Sequence, residues 1–438
     1  MKVVYLAAGA GGMYCGSCMR DNRLAATLIA QGRDLTLVPL YTPLRLDEPD
    51  ASSGPTYYGG LNVYLQHANP LFRRTPDALN RLLDAPLLLR AAGRLAGATK
   101  PADLGPLTVS VLRGQHGELR RELAKLIDGL RPLQPDLINL PNLMFAGVAQ
   151  PLRHAFNVPI LCTLSGEDLF LDQLPDPFRT QARDLIAEKS RDIDGFIAVT
   201  RYFADHAASS FRLPRDRVHL VPMGIRAHEH RPAKPDPDHP FTIGYLARIC
   251  PEKGLAALCD AFIKLRRDGR PCRLRIAGYL GPVDRAFFNA TLAHLADAGF
   301  ADDVEHVGEV TREAKLAFLE TLQVLSVPTV YREAKGFYVL EALAGGVPVV
   351  QPRHGSFPEL IQDTGGGLLY DPADPDALPQ TIARLMDDET LRVSLARAGS
   401  QAVRLRYTDT MMAAATWTLY ENFHARARSA MGGTETIV

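Results

Sequence analysis

Two glutamates eight positions apart, Glu333 and Glu341, lie in the segment with the densest chemical signal, residues 328–350. It reads Pro-Thr-Val-Tyr-Arg-Glu-Ala-Lys-Gly-Phe-Tyr-Val-Leu-Glu-Ala-Leu-Ala-Gly-Gly-Val-Pro-Val-Val. Glutamate is common, so the context gives the spacing its meaning. Glu333 follows an apolar strand, Gly336 lets the backbone approach a ligand, and a helix begins at about Phe337. The unbonded N–H groups of that first turn can receive an anion. Glu341 sits one turn further in, where its carboxylate can accept hydrogen bonds from neutral hydroxyls. A carboxylate beside an anion site suits a ribose or sugar edge next to a phosphate. Upstream, Gly244-Tyr245-Leu246-Ala247-Arg248-Ile249-Cys250-Pro251-Glu252-Lys253-Gly254 places Arg248 and Lys253 five apart across a proline-bearing loop. Two cations converging there can hold a diphosphate and stabilise it as it departs, without a metal. Taken alone, each segment has a plainer reading: a helix-solvating glutamate, or a solvated basic loop.

Near the start, Gly11-Gly12-Met13-Tyr14-Cys15-Gly16-Ser17-Cys18-Met19-Arg20-Asp21-Asn22 joins a glycine-rich turn to a helix. Its Cys-x2-Cys spacing fits a redox pair or half a zinc site. No second Cys or His pair lies nearby to complete a metal site, so loop-shaping cysteines are the simpler expectation. Arg20, Asp21 and Asn22 are placed to reach an acceptor. Tyr57-Tyr58-Gly59-Gly60-Leu61-Asn62-Val63-Tyr64 can form either an aromatic platform for a sugar or an edge strand with buried tyrosines. His228, His230 and His239 do not have metal-site spacing and read as solvated linker residues.

These loops need strands and helices to position them. Short, near-continuous apolar runs at 2–8, 35–40, 137–140, 159–163, 196–199 and 218–221 read as buried strands, with helices such as 118–130 and 181–189 between some of them. Such alternation predicts a parallel sheet covered on both faces. The stretch 226–240 carries four prolines and no apolar period, which marks a linker. Alternation restarts with strands at 241–245, 273–278, 304–308, 323–328 and 347–351, and helices at 254–268, 285–298, 311–321 and 337–344. The expectation is an α/β chain of two doubly wound Rossmann-like domains, 1–225 and 226–408. A last helix and tail, 409–438, would return to the first domain, with Trp417 packing there. Ligands of such sheets sit outside the carboxyl ends of the strands, where the candidate residues lie.

Together the motifs resemble retaining glycosyltransferases of the glycogen-synthase-like and sucrose-synthase-like superfamily (group 1, family four), which have the GT-B fold. That family carries a G-R-x4-K-G loop and an E-x7-E segment ending in G-x-P-V-V. Here Arg248, Lys253 and Gly254 match the first, with Ala247 replacing its leading glycine. Glu333, Gly336, Glu341, Gly346, Pro348, Val349 and Val350 match the second. Gly278, Gly308 and His354-Gly355-Ser356-Phe357-Pro358-Glu359-Leu360 extend the likeness. Gly11-Gly12, Pro135-Asp136-Leu137-Ile138 and Val221-Pro222-Met223-Gly224-Ile225 do so in the first domain.

The resemblance implies a nucleotide-sugar donor, used as co-substrate with no cofactor, and a carbohydrate, lipid-linked or small-molecule acceptor held by the first domain. Arg248 and Lys253 would bind the diphosphate, Glu341 the ribose, and Glu333 with the Gly336–Phe337 backbone the donor sugar. Gly12 would lie near the donor phosphate. Transfer would retain the anomeric configuration, with the leaving phosphate oxygen helping to deprotonate the acceptor and no protein nucleophile. The family's first-domain histidine is replaced by Ser165, in Cys162-Thr163-Leu164-Ser165-Gly166-Glu167-Asp168. Ser165 or Asp168 can supply an equivalent hydrogen bond, or the pocket takes another sugar.

Composition narrows the classes further. The chain has 438 residues with 49 basic and 49 acidic side chains, which argues against a nucleic acid as the main partner. Six scattered cysteines are unlike a secreted disulfide framework. No run approaches the ~18–20 apolar residues of a membrane span. A cytoplasmic protein follows, with peripheral membrane contact left open. Two other readings remain: a dinucleotide-binding oxidoreductase at residues 9–12, where the full G-x-G-x-x-G spacing is missing, and a non-catalytic nucleotide-sugar binder of the same fold.

Overall fold

The structure, a computed structural model, describes residues 1–9, 15–54, 56, 101–235, 238 and 240–432. The chain divides into two compact units, Met1–Pro222 with Met412–Val438, and Met223–Met411. In the first unit, strands β1 (Val3–Ala7), β2 (Leu35–Pro39), β3 (Leu137–Leu140), β4 (Ile160–Thr163), β5 (Gly195–Ala198) and β6 (Val218–Leu220) form one parallel sheet. Its order is β2-β1-β3-β4-β5-β6. All five residues of β1 are buried, as a strand covered on both faces requires. One face packs Leu24, Ala25 and Leu28 with Met412, Ala413, Trp417 and Tyr420 against Val3, Tyr5, Leu161 and Ile197. Trp417 and Tyr420 lie in the terminal helix Asp409–Gly432.

In the second unit β7 (Phe241–Leu246), β8 (Cys272–Ala277), β9 (Val304–Gly308), β10 (Val324–Leu325), β11 (Val349–Pro352) and β12 (Gly367–Tyr370) form another parallel sheet, ordered β12-β11-β10-β7-β8-β9. Both sheets are therefore doubly wound, as the alternation predicts. The order reverses between β1 and β3 in one and between β7 and β10 in the other. Sheets of this kind receive ligands at that reversal, beyond the carboxyl ends of the strands.

Some expectations change. The strand expected over 323–328 shrinks to Val324–Leu325. Pro328 lacks the N–H a ladder needs, and the chain there turns to run against Gly254. The segment 226–240 is not a solvated linker where the structure describes it. Ala227–Glu229 forms a 3-10 turn, and Glu229 accepts from Arg312 Nε at 2.5 Å. The His230 carbonyl accepts from Arg404 at 2.7 Å, and the ring is buried. Ala233 N–H and Lys234 N–H donate to Gly345 and Glu320 carbonyls at 2.8 and 2.7 Å. These carbonyls lie at helix ends that would otherwise be unsatisfied, so the proline-rich strap is fixed to the second unit. His228 is exposed, and His239 lies outside the described residues.

Candidate active site

Both cation- and carboxylate-bearing loops of the second unit leave the strands that flank the β7/β10 reversal. The loop after β7 carries Arg248 and Lys253, and the loop after β10 carries Glu333. Topology alone thus brings together residues 80 positions apart in the chain.

Two glycines make the loops meet. Gly254 has φ +73°, and a Cβ on it would stand 1.8 Å from the Pro328 carbonyl oxygen. The Val330 N–H donates to Glu252 O at 2.9 Å across the same seam. Gly355 has φ +59°, and a Cβ there would lie 2.6 Å from the Glu333 backbone, while Ser356 N–H donates to Glu333 O at 2.8 Å. The segment His354–Leu360 thus clamps the backbone that presents Glu333. Gly254→Ala combines a left-handed conformation with a backbone clash, so a loss of at least about 2 kcal/mol is expected. Denaturant unfolding checks this, and an unchanged midpoint would refute it.

The Glu333 carboxylate is the hub. Its Oε2 accepts from Lys253 Nζ at 2.7 Å and Tyr331 OH at 2.9 Å, with Tyr338 OH at 3.5 Å. Its Oε1 accepts the Lys335 N–H at 3.2 Å. The Lys253 ammonium stands 5.0 and 5.2 Å from the ring centroids of Tyr331 and Tyr338, within cation–π range. Burial pushes the Glu333 carboxyl up, but the charge and hydrogen bond of Lys253, with help from Lys335, overcome it and hold the group at about 2. Both tyrosine hydroxyls are pushed up, by burial first and the Glu333 charge second. Arg248 is exposed and forms no ion pair with any described residue, and its charge reaches the Tyr331 hydroxyl. Cys250, Asp284 and Glu252 hold its guanidinium firmly charged, and with no carboxylate paired to it among the described residues it can still turn to an anion.

The helix Phe337–Ala344 starts on Gly336, whose φ of +66° is the left-handed value glycine favours. No acidic residue sits in its first turn to compete for an anion. Glu341 lies one turn in, and its Oε1 accepts from Lys315 Nζ at 2.7 Å, both side chains being buried. Lys315 escaped the sequence reading, yet a signal was present. In the helix Arg312–Glu320 it shares the buried stripe with Arg312, Phe318 and Leu319, and a lysine on such a stripe calls for an acid partner.

In the first unit, the loop after β4 carries Ser165 and Asp168. Ser165 Oγ donates to Pro141 O at 3.2 Å and lies 3.3 Å from Arg20 Nη2, while Ser165 N–H donates to Glu167 Oε2 at 2.9 Å. Glu167 Oε1 accepts Leu143 N–H at 3.1 Å, tying the β3 and β4 loops together. Neither Glu167 nor its role was anticipated. Arg20 is buried against Asp21, which also accepts from Tyr5 OH at 2.7 Å. Asp168 Oδ2 pairs with His206 Nε2 at 3.0 Å. Asn22 departs from its expected role. It is fully buried, donates to Pro49 O at 3.0 Å and accepts Ala51 N–H at 2.8 Å, so its amide holds a loop and does not face an acceptor. Gly12 and Tyr57–Tyr64 lie outside the described residues. Among the described residues no cluster of three metal-ligating side chains occurs, and no helix is long and apolar enough to cross a membrane.

Known proteins resemble the chain in sequence and in fold. A family profile described as glycosyl transferases group 1 matches residues 227–402, and one described as glycosyltransferase family 4 matches 101–229. The D-inositol 3-phosphate glycosyltransferase of Pseudarthrobacter chlorophenolicus is 27% identical over 429 residues, covering 90% of this chain and 95% of its own. The GDP-mannose-dependent alpha-(1-6)-phosphatidylinositol monomannoside mannosyltransferase of Mycobacterium tuberculosis is 28% identical over 271 residues, 58% of this chain and 67% of its own. Among solved structures, sucrose-phosphate synthase from Thermosynechococcus elongatus superposes with a TM-score of 0.70 at 17% identity, covering 97% of this chain and 100% of that one. Anabaena Alr3699/HepE, solved in complex with UDP, superposes with 0.66 at 14% identity, covering 96% and 100%.

Proposed function

Because the chain belongs to the group 1 glycosyltransferases of family 4 and has their GT-B fold, we propose that it transfers a sugar from a nucleotide-activated donor to a hydroxyl acceptor with retention at the anomeric carbon. The observation that carries this is the meeting of Lys253 and Glu333 at the β7/β10 reversal, beside the helix N-terminus at Phe337. A nucleoside diphosphate needs cations and N–H donors, and a sugar needs a carboxylate to accept from its hydroxyls. That reversal offers both.

In this reading Arg248 and Lys253 take the diphosphate, and Lys253 exchanges one Glu333 oxygen for a phosphate oxygen. Glu333, freed of one partner and still ionised, then accepts from donor-sugar hydroxyls. Glu341, set by Lys315, accepts from the ribose. As the glycosyl bond breaks, negative charge grows on the leaving phosphate oxygen, where the two cations and the helix N-terminus meet it without a metal. That oxygen takes the acceptor proton as the acceptor attacks the same face of the sugar, which retains configuration. Ser165 and Asp168 are the first-unit groups offered to the sugar or acceptor.

Two relatives' names suggest the donor and acceptor to try first, GDP-mannose and an inositol phosphate or inositol lipid. UDP-glucose, bound by a structural neighbour, is the next donor. The test is a thermal-shift panel of UDP-, GDP-, ADP- and TDP-sugars, because a ligand that binds the folded state raises apparent stability. A donor should raise the midpoint, and product NMR should show the donor's anomeric configuration preserved. No shift with any nucleotide would remove the donor assignment, and an inverted product would remove retention.

A further inference from the structure

We propose that Cys15 and Cys18 form a reversible dithiol–disulfide couple at the entry to the helix Gly16–Ala30. Cys15 is the N-cap of that helix, with extended φ −123° and ψ 121°, and Cys18 is its third residue. Side chains at these two positions reach toward each other, as the reciprocal capping box shows for oxygen-bearing residues. Here both are sulfur. The N-cap side chain makes no cap hydrogen bond to the backbone, and the two thiols bond each other. Cys15 is half-buried and Cys18 is buried, so one sulfur is reachable and the other shielded. The first-turn N–H groups and the positive end of the helix dipole lie beside the outer sulfur, while the hydrogen bond with Cys15, burial and the Asp21 charge push the Cys18 thiol up, which makes Cys15 the attacking sulfur. The other four cysteines are buried and lie on other elements.

The step balances with a small-molecule disulfide as oxidant. The Cys15 thiolate attacks one sulfur of oxidised glutathione, forming a mixed disulfide and expelling one glutathione thiolate. Cys18 loses its proton and attacks Cys15 Sγ, forming the Cys15–Cys18 bond and expelling the second glutathione. Two electrons and two protons pass from the protein to two glutathione molecules. The helix concerned follows β1, whose carboxyl end lies at the β1/β3 reversal. A bond between residues 15 and 18 therefore stiffens the chain where it enters the ligand-receiving edge of the first sheet.

The full chain equilibrated with graded mixtures of reduced and oxidised glutathione, then alkylated, digested with trypsin and weighed, tests this. The peptide 3–20 holds both cysteines. As the mixture becomes oxidising it should stop taking up both alkyl groups and appear two hydrogen masses below the free dithiol, and it should take up both alkyl groups when glutathione is reduced again. Cys15→Ser, which keeps a capping oxygen and so the helix start, should abolish the two-hydrogen loss. Cys18→Ala should leave Cys15 as a persistent glutathione adduct. Full alkylation of both sulfurs in the most oxidising mixture would overturn the proposal. So would a glutathione adduct on wild-type Cys15 that never resolves, or a two-hydrogen loss mapped to other cysteines. The readout is chemical and does not depend on transferase activity, so its failure leaves the transferase reading standing.

Discussion

Lys253→Ala is expected to lower turnover by about 10²–10³-fold, the usual cost of removing one charged group that meets developing charge in the transition state. The variant should also be less stable, because Glu333 keeps its buried site and loses its cation. Removing one member of a buried pair costs about 3–5 kcal/mol. The two effects separate with pH. In the native protein Glu333 is depressed from 4.5 to about 2, so its contribution is full above 4.5 and lost as pH falls toward 2. In the variant, burial acts without Lys253, the folded value rises above the unfolded one, and stability is lost as pH rises past it. The stability gap between the proteins should therefore narrow as pH falls from 7 to 4. Urea unfolding across that range measures it, and a constant gap would mean the pair is not what the substitution removed. Turnover at pH 7, measured where the variant is fully folded, reads the chemical role alone. Native-like turnover there excludes Lys253 from the diphosphate.

The second large effect concerns Lys315. Lys315→Met should destabilise the protein by about 3–5 kcal/mol, since it leaves Glu341 buried beside an apolar side chain. Adding Glu341→Gln removes the stranded charge, so the double variant should recover much of that loss. The difference in a double-mutant cycle is the coupling of the pair. Nucleotide binding gives the functional readout. If Glu341 accepts from the ribose, a ribonucleoside diphosphate should stabilise the native protein more than its 2′- or 3′-deoxy counterparts, and Glu341→Gln should erase that preference. Equal stabilisation by all of these in the native protein would exclude Glu341 from the ribose.

The architecture was legible because parallel strands covered on both faces must be almost wholly apolar, as Val3–Ala7 is and Phe241–Leu246 is but for Thr242. The helix Phe337–Ala344 falls where its glycine start and apolar run indicate. Loops were harder. The partners of Glu333 include Tyr331 and Tyr338, which flank it in sequence yet had no role assigned there, because ring and hydroxyl send opposite signals. Lys315 is remote from Glu341 in sequence, and only the apolar stripes that carry both of them announced the pair. Asn22, expected at an acceptor, and His230, expected in solvent, misled because a linear reading points polar residues outward. A backbone that needs partners draws them inside.

The terminal helix adds a constraint of a different kind. Met412, Trp417 and Tyr420 cover the same sheet face as Val3 and Tyr5, although the whole second unit is encoded between them. During synthesis, the first unit therefore emerges early but cannot close its core until nearly the entire chain has left the ribosome. The second unit, continuous from Met223 to Met411, has no such debt and can fold first. The order in which the two units are encoded and the order in which their cores can be completed are thus opposite. A chain ending before Met412 would never acquire that cover, whatever the state of its second unit.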